Sequence, residues 1–236
     1  MDGKRIAITG VSRGLGRALA DAFAFAGWKL VLHARDPVVA EERAAALGAV
    51  AVSGDLRDES LGPRLAAAAQ AAYGGLDAII LNAGVLGAMT PLEDTDFDIF
   101  RTVMEVNVDA QLRLVLACLA DLVAARGTVV WLSTGLGRFG LPRYGPYCAS
   151  KHAMEGLMKV LAAEHGDDGL VSVAVAPGMV ETDMLRHAIG PHDPHAFKTP
   201  AAAAAQFVRF LETIEPGLNG QSVEIDAVVG SVPSSG

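Results

Sequence analysis

Tyr147 and Lys151 stand four residues apart in the run RYGPYCASK, and on a helix that spacing turns both side chains to one side. A free phenol titrates near about 10, too high to trade protons readily at neutral pH. An ammonium one turn away favours the ionised phenol. Tyr147 then becomes a candidate general acid/base. The upstream segment LSTGLG offers two hydroxyls to work alongside it, Ser133 and Thr134. Neighbouring strand residues face opposite ways, so these two do not both point at one substrate oxygen. Cys148 has no identifiable partner base and reads as a packing residue, while His152 points elsewhere on the helix.

A second group of residues could hold a phosphate-bearing ligand. Gly10, Ser12, Arg13, Gly14, Leu15 and Gly16 lie in a glycine-rich turn between a β-rich run and a helix. Glycines there permit a tight turn and close backbone approach, and the helix N-terminus presents its positive end to a pyrophosphate. Asp55, followed by Leu56 in SGDLRD, could accept an adenine amino group or could simply cap a helix. Asn82, Ala83 and Gly84 follow another strand, where the chain can turn across the front of a sheet. Asn107 sits in MEVNVD between valines, an unusual place for a polar residue unless it is capped or solvated.

The elements that must position these residues alternate. Strands are expected at KRIAIT, WKLVLH, AVAVS, DAIIL, GTVVWLS, LVSVAVA and SVEID, and helices near 14–26, 37–47, 58–73, 96–126, 147–166 and 199–214. That order predicts an α/β fold, a doubly wound, Rossmann-like parallel sheet with helices on both faces, in one domain over 1–236. Residues 184–199, with glycine and prolines between a strand end and the last helix, are expected to form a lid, and the tail SVPSSG to be loose. A net charge of −8 argues against a nucleic-acid or anionic-membrane partner. The most apolar stretch is interrupted by Asp121 and Arg126 and is too mixed to span a membrane. The N-terminus has no secretory pattern, and two cysteines fit a reducing compartment, so a cytoplasmic location is expected.

Taken together, the motifs resemble those of the short-chain dehydrogenase/reductase family from Lys4 to about Asp226. The glycine turn matches Thr9 to Gly16, the adenine-site Asp is Asp55, the NAG motif is Asn82 to Gly84, and the helix Asn is Asn107. YxxxK is Tyr147 and Lys151, and PGxxxT runs from Pro177 to Thr182. The resemblance implies hydride exchange between a nicotinamide and a carbonyl or alcohol, with Tyr147 as acid/base and Lys151 also bonding the nicotinamide ribose. It implies that Asn107 holds a water linking Lys151 to solvent, and that Pro177, Gly178, the Val180 backbone and Thr182 line the nicotinamide carboxamide site. The family's serine lies thirteen residues before the tyrosine, which here is Thr134, with Gly137 three residues on. Thr134 is therefore the expected partner hydroxyl, with Ser133 as the rival. Relatives form homodimers or homotetramers through two long helices, and the same is expected of this chain.

Family members that prefer NAD(H) carry a carboxylate at the end of the second strand. This chain has Ala34 there, followed by Arg35, with Arg13 and Ser12 available from the glycine turn, so NADP(H) is expected in preference to NAD(H). Asp36 is the counter-argument. Leu86, Leu136, Leu141, Tyr144 and Met184 are expected to line an apolar substrate pocket. Arg138 and Arg143 near the active-site loop leave 3-oxoacyl thioester reduction open as an alternative, and a dinucleotide-binding sensor without turnover is the other. No metal is expected. His192 and His195 read as solvated lid residues.

Overall fold

The structure, a computed structural model, describes residues 3–230. The tail expected to be loose lies outside the described residues. Seven parallel strands form one sheet in the order β3-β2-β1-β4-β5-β6-β7. They are β1 (Arg5–Thr9), β2 (Lys29–Ala34), β3 (Val50–Ser53), β4 (Ala78–Leu81), β5 (Thr128–Leu132), β6 (Val171–Ala176) and β7 (Ser222–Glu224). The helices are α1 (Gly14–Phe25), α2 (Pro37–Leu47), α3 (Leu61–Tyr73), α4 (Phe97–Met104), α5 (Ala110–Ala124), α6 (Gly145–His165), α7 (Asp183–Ile189), α8 (Pro200–Thr213) and α9 (Ile225–Val229). Parallel strands need both faces covered, and strand side chains alternate to serve both. Ile6, Ile8, Leu30 and Leu32 pack into one core with Phe23 of α1 and Phe207 and Phe210 of α8. Ala7, Val31, Val129 and Trp131 pack into the other with Leu65 of α3, Leu114 of α5 and Met158 of α6.

Local chemistry sets most boundaries. Pro37 opens α2, the Asp36 carboxylate accepts from Val38 N at 2.9 Å, and Gly48 at φ 63° closes the helix. Thr199 caps α8 in the same way by accepting from Ala202 N. Among the described residues no helix is long and apolar enough to cross a membrane.

Three expected elements differ. The helix expected from residue 58 begins at Leu61, because Asp55 and Asp58 turn their carboxylates onto Arg57 N and Ser60 N and hold separate turns. The helix expected over 96–126 is interrupted by a π turn at Glu105–Asp109. The last strand stops at Glu224, and Ile225 and Asp226, expected within it, begin α9 with Ile225 buried.

β1 lies between β2 and β4, so the chain reverses its winding at the carboxyl ends of β1 and β4, where open sheets of this kind bind ligands.

Candidate active site and dinucleotide cradle

The glycine turn and the NAG turn are locked together across that cleft. Asn82 Nδ2 donates to Thr9 O at 2.8 Å and to Gly10 O at 3.3 Å, and Ala83 N donates to Thr9 Oγ1 at 3.0 Å. Gly10 adopts φ 74°, in the left-handed region that favours glycine. Gly16 is needed for room: a Cβ there would stand 2.1 Å from Gly10 O and 2.4 Å from Asn82 Nδ2. The first turn of α1 has no side-chain cap, leaving its N–H groups for an anion, and Ser12 and Arg13 are exposed beside it while Leu15 packs inward. These features fit a pyrophosphate-bearing dinucleotide. Gly16→Ala should lower stability by about 1–3 kcal/mol through overpacking. Thermal unfolding reads this as a fall of about 2–4 °C per kcal/mol at this chain length.

Arg13 reaches α7, where its guanidinium lies 3.5 Å from the Asp183 carboxylate, and both partners are largely exposed. Arg35 is exposed at the end of β2 and acts electrostatically on Asp55. Asp55 is gripped by Arg57 through both carboxylate oxygens, at 3.0 and 2.9 Å, and this side-chain bonding first of all holds its pKa down at about 2. It is not the cap of α3, which is preceded by Ser60. Leu56 packs partly buried against the α3 core.

Asn107 is neither solvated nor a helix cap. The π turn rotates it inward, where Nδ2 donates to Val85 O at 2.8 Å and to Ser150 Oγ at 3.0 Å and Oδ1 accepts from Val85 N at 2.9 Å. Gly84 lies directly against its Oδ1. Gln111, not singled out in the sequence, donates from Nε2 to Ala83 O at 2.8 Å and to Val106 O at 3.1 Å. A polar residue four places beyond Asn107 was the signal available for it.

α6 brings Tyr147 and Lys151 together, with Lys151 Nζ 5.6 Å from the centroid of the phenol ring. Lys151 Nζ also donates to Leu132 O at 2.6 Å. Burial lowers its pKa to about 8, opposed by the charge of Glu155. Burial likewise raises the Tyr147 phenol to about 12, with a smaller contribution from Cys148. Ser133 is buried and its hydroxyl donates to Glu155 Oε1 at 2.5 Å. Thr134, the next residue, is half-buried, and its Oγ1 accepts from Leu136 N at 3.5 Å.

The segment beyond β6 closes one side. Gly178 adopts φ 77°, and Lys198 Nζ holds the loop by donating to Pro177 O at 3.0 Å, Gln206 Oε1 at 2.7 Å and Asp226 Oδ1 at 2.8 Å. Val180 is buried. Thr182 caps α7 by accepting from Leu185 N at 3.2 Å, and its methyl faces Gly14 across the cleft. Leu86 and Leu136 are half-buried, and Leu141 and Met184 are exposed. Tyr144 donates its hydroxyl to Ala188 O at 2.7 Å and so ties the start of α6 to α7.

His192, expected in solvent, is instead tucked in. Its Nε2 bonds Glu181 Oε2 at 2.7 Å, its Nδ1 lies 2.8 Å from Gly190 O, and Arg186 bonds the other Glu181 oxygen at 2.6 Å. A short segment whose polar groups cannot all reach water satisfies them internally. Bonding to Glu181 raises the His192 pKa above its ordinary 6.5. The charged contact is therefore complete below that value and is lost as pH rises through the raised pKa. At pH 6, His192→Gln should be cleaved faster than the wild type in the 183–198 segment under limited proteolysis. By pH 9 the two rates should converge. Among the described residues no group of three or more His, Cys, Asp or Glu is gathered to hold a metal.

A family model described as short chain dehydrogenase matches residues 4–190. An NADPH-dependent pterin aldehyde reductase from Arabidopsis thaliana is 30% identical over 228 residues, 94% of this chain and 93% of the relative. A 2,5-dichloro-2,5-cyclohexadiene-1,4-diol dehydrogenase from Sphingobium indicum is 31% identical over 193 residues, 80% of this chain and 77% of the relative. The crystal structure of a short chain dehydrogenase from Shigella flexneri in complex with NADP superposes with a TM-score of 0.86 at 30% identity, covering 96% of this chain and 98% of that one. With its seven-stranded sheet, its glycine-rich turn before α1 and its Tyr147–Lys151 pair, this chain belongs to the short chain dehydrogenase family and is an oxidoreductase.

Proposed function

We propose that the protein is an NADP(H)-dependent reductase of a small carbonyl compound, or the corresponding alcohol dehydrogenase, with Tyr147 as general acid/base. The observation that carries this reading is the burial of Lys151 against the Tyr147 ring, a cation placed where it can stabilise a phenolate. The nicotinamide, when bound, supplies or accepts hydride at the carbonyl carbon. Tyr147 gives its phenolic proton to the carbonyl oxygen in reduction and takes it back in oxidation. Asn107 anchors the turn at Val85 and, through Ser150, the α6 turn between Tyr147 and Lys151.

The proton count of the two hydroxyls supports Thr134 as the group that steadies the substrate oxygen. A hydroxyl has a single proton to donate. That of Ser133 is committed to Glu155, whereas Thr134 Oγ1 only accepts, from Leu136 N, and keeps its proton for a ligand. Gly10, Gly14, Gly16 and the first turn of α1 would hold the pyrophosphate, Asp55 the adenine, Arg13 and Arg35 the additional phosphate, and Pro177, Gly178, Val180 and Thr182 the carboxamide.

For the substrate, Leu86, Leu136, Leu141 and Met184 favour an apolar carbonyl compound. The two arginines that a thioester carrier could use are engaged elsewhere: Arg138 pairs with Glu224, and Arg143 donates to Met89 O at 3.1 Å. NADPH and NADH consumption against diketones, aromatic aldehydes, cyclic ketones and 3-oxoacyl thioesters tests the reading. Turnover of simple carbonyls with NADPH is expected. Faster consumption of thioesters, or NADPH binding without turnover across the panel, would overturn it.

A further inference from the structure

Glu155 lies on α6 one turn beyond Lys151, and the two residues are only 3% and 7% exposed. A carboxylate in a core needs partners for both oxygens. Ser133 Oγ donates to Oε1 at 2.5 Å, and Ser222 Oγ of β7 donates to Oε2 at 2.7 Å. The fit is close: a Cβ at Gly137 would stand 2.5 Å from Glu155 Oε1 and 2.9 Å from Ser133 Oγ. Lys151, meanwhile, holds Leu132 O at 2.6 Å. The one helix thus grips consecutive residues at the end of β5, Leu132 by a cation and Ser133 by an anion. The residue that follows is Thr134.

Other ionisable groups around this pair are few. On α6 they are the Tyr147 phenol, the Cys148 thiol and two exposed groups, His152, whose Nδ1 lies 2.9 Å from Cys148 O, and Lys159, one turn beyond Glu155. The strands β5 and β6 contribute none. Arg138 in the loop after β5 is paired with Glu224 of β7. On α4, Asp98 and Arg101 pair with each other, and Glu105 and Asp109 of the π turn are exposed. Among the described residues Glu155 is the one buried carboxylate, it stands one helical turn from Lys151, and its charge favours the ammonium against the cost of burial.

Resting on the proposed roles of Tyr147 and Lys151, we infer that Glu155 is a positioning residue: its buried carboxylate is the counter-charge of Lys151 and, through Ser133, holds the strand end that presents Thr134. Two separable consequences follow from the charge and from the reach of the side chain. Glu155→Gln removes the charge at constant size. Glu155→Asp keeps the charge but is one methylene too short to span Ser133 and Ser222.

The test is a titration of the cofactor-free protein, with the Lys151 Cε signal followed by carbon-13 NMR, beside kcat against pH with NADPH and the best carbonyl substrate. In Glu155→Gln the Lys151 midpoint should fall by about one pH unit, and the pH at which kcat declines should fall with it. In Glu155→Asp the midpoint should stay near the wild-type value while kcat drops about tenfold. An unmoved midpoint in the Gln variant, a midpoint displaced as far in Asp as in Gln, or an unchanged kcat in the Asp variant would each overturn the inference. Should the Gln variant fail to fold, the Asp variant decides alone, by its midpoint and its kcat. If the wild type reduces no carbonyl, the functional reading falls, and the Lys151 titration still decides whether Glu155 is its counter-charge.

Discussion

Tyr147→Phe should lower kcat for carbonyl reduction about 10³-fold while leaving the Kd for NADPH within about threefold of wild type, since the loss of a general acid is typically worth about 10²–10⁴. The phenol ring stays and only the hydroxyl goes, so the packing against Lys151 survives. The substrate oxygen then has no proton donor of matched geometry. Steady-state rates and a fluorescence titration of NADPH separate the two effects. Equal turnover in the variant would remove Tyr147 from the chemistry. The wild-type profile should also carry the signature of Lys151: its cofactor-free pKa of about 8 means that the ammonium is complete well below that pH and is lost as pH rises through it. Burial holds the phenol up at about 12, and the role proposed for Lys151 is to supply the cation that offsets this, so reduction should decline on the alkaline side as that cation is lost.

Arg35→Ala should raise the KM for NADPH about 10- to 100-fold and leave the KM for NADH within about threefold. A charge-assisted bond from a guanidinium to a phosphate is worth about 1.5–3 kcal/mol, and each 1.4 kcal/mol is about tenfold. Arg13→Ala should act in the same direction. Its contact with Asp183 is 3.5 Å long and solvent-exposed, and breaking such a pair costs at most about 1 kcal/mol, so Arg13 is available to a phosphate. Asp36, the residue that argued for NAD, spends its carboxylate on Val38 N at the start of α2. KM measurements with both cofactors on the two variants check this. A parallel rise for NADPH and NADH would show that neither arginine reads the extra phosphate.

Particular residues show how far the site could be read beforehand. Tyr147 and Lys151 were legible because a spacing of four on a helix has one geometric meaning. Gly10, Gly14 and Gly16 were legible because few other residues tolerate that turn. Asn107 stood out as a polar residue among valines, yet its partners became visible only with the π turn, which the helical periodicity of the surrounding residues hides. Glu155 and Gln111 carried no motif, and the groups they bond come from other segments. His192 was misread because an exposed-looking composition does not reveal an internal Glu181 partner.

By itself, the sequence determined the alternation of strands and helices, the glycine cradle and the order of the site motifs, since these follow from periods and turn chemistry within a few residues. Tertiary structure decided which hydroxyl keeps its proton, where Arg13 reaches and what counters Lys151. Those outcomes hang on contacts such as Ser133 to Glu155, 22 residues apart, and Ser222 to Glu155, 67 apart. Only the packing of α6 between the ends of β5 and β7 brings such groups within bonding distance, and no local pattern encodes it.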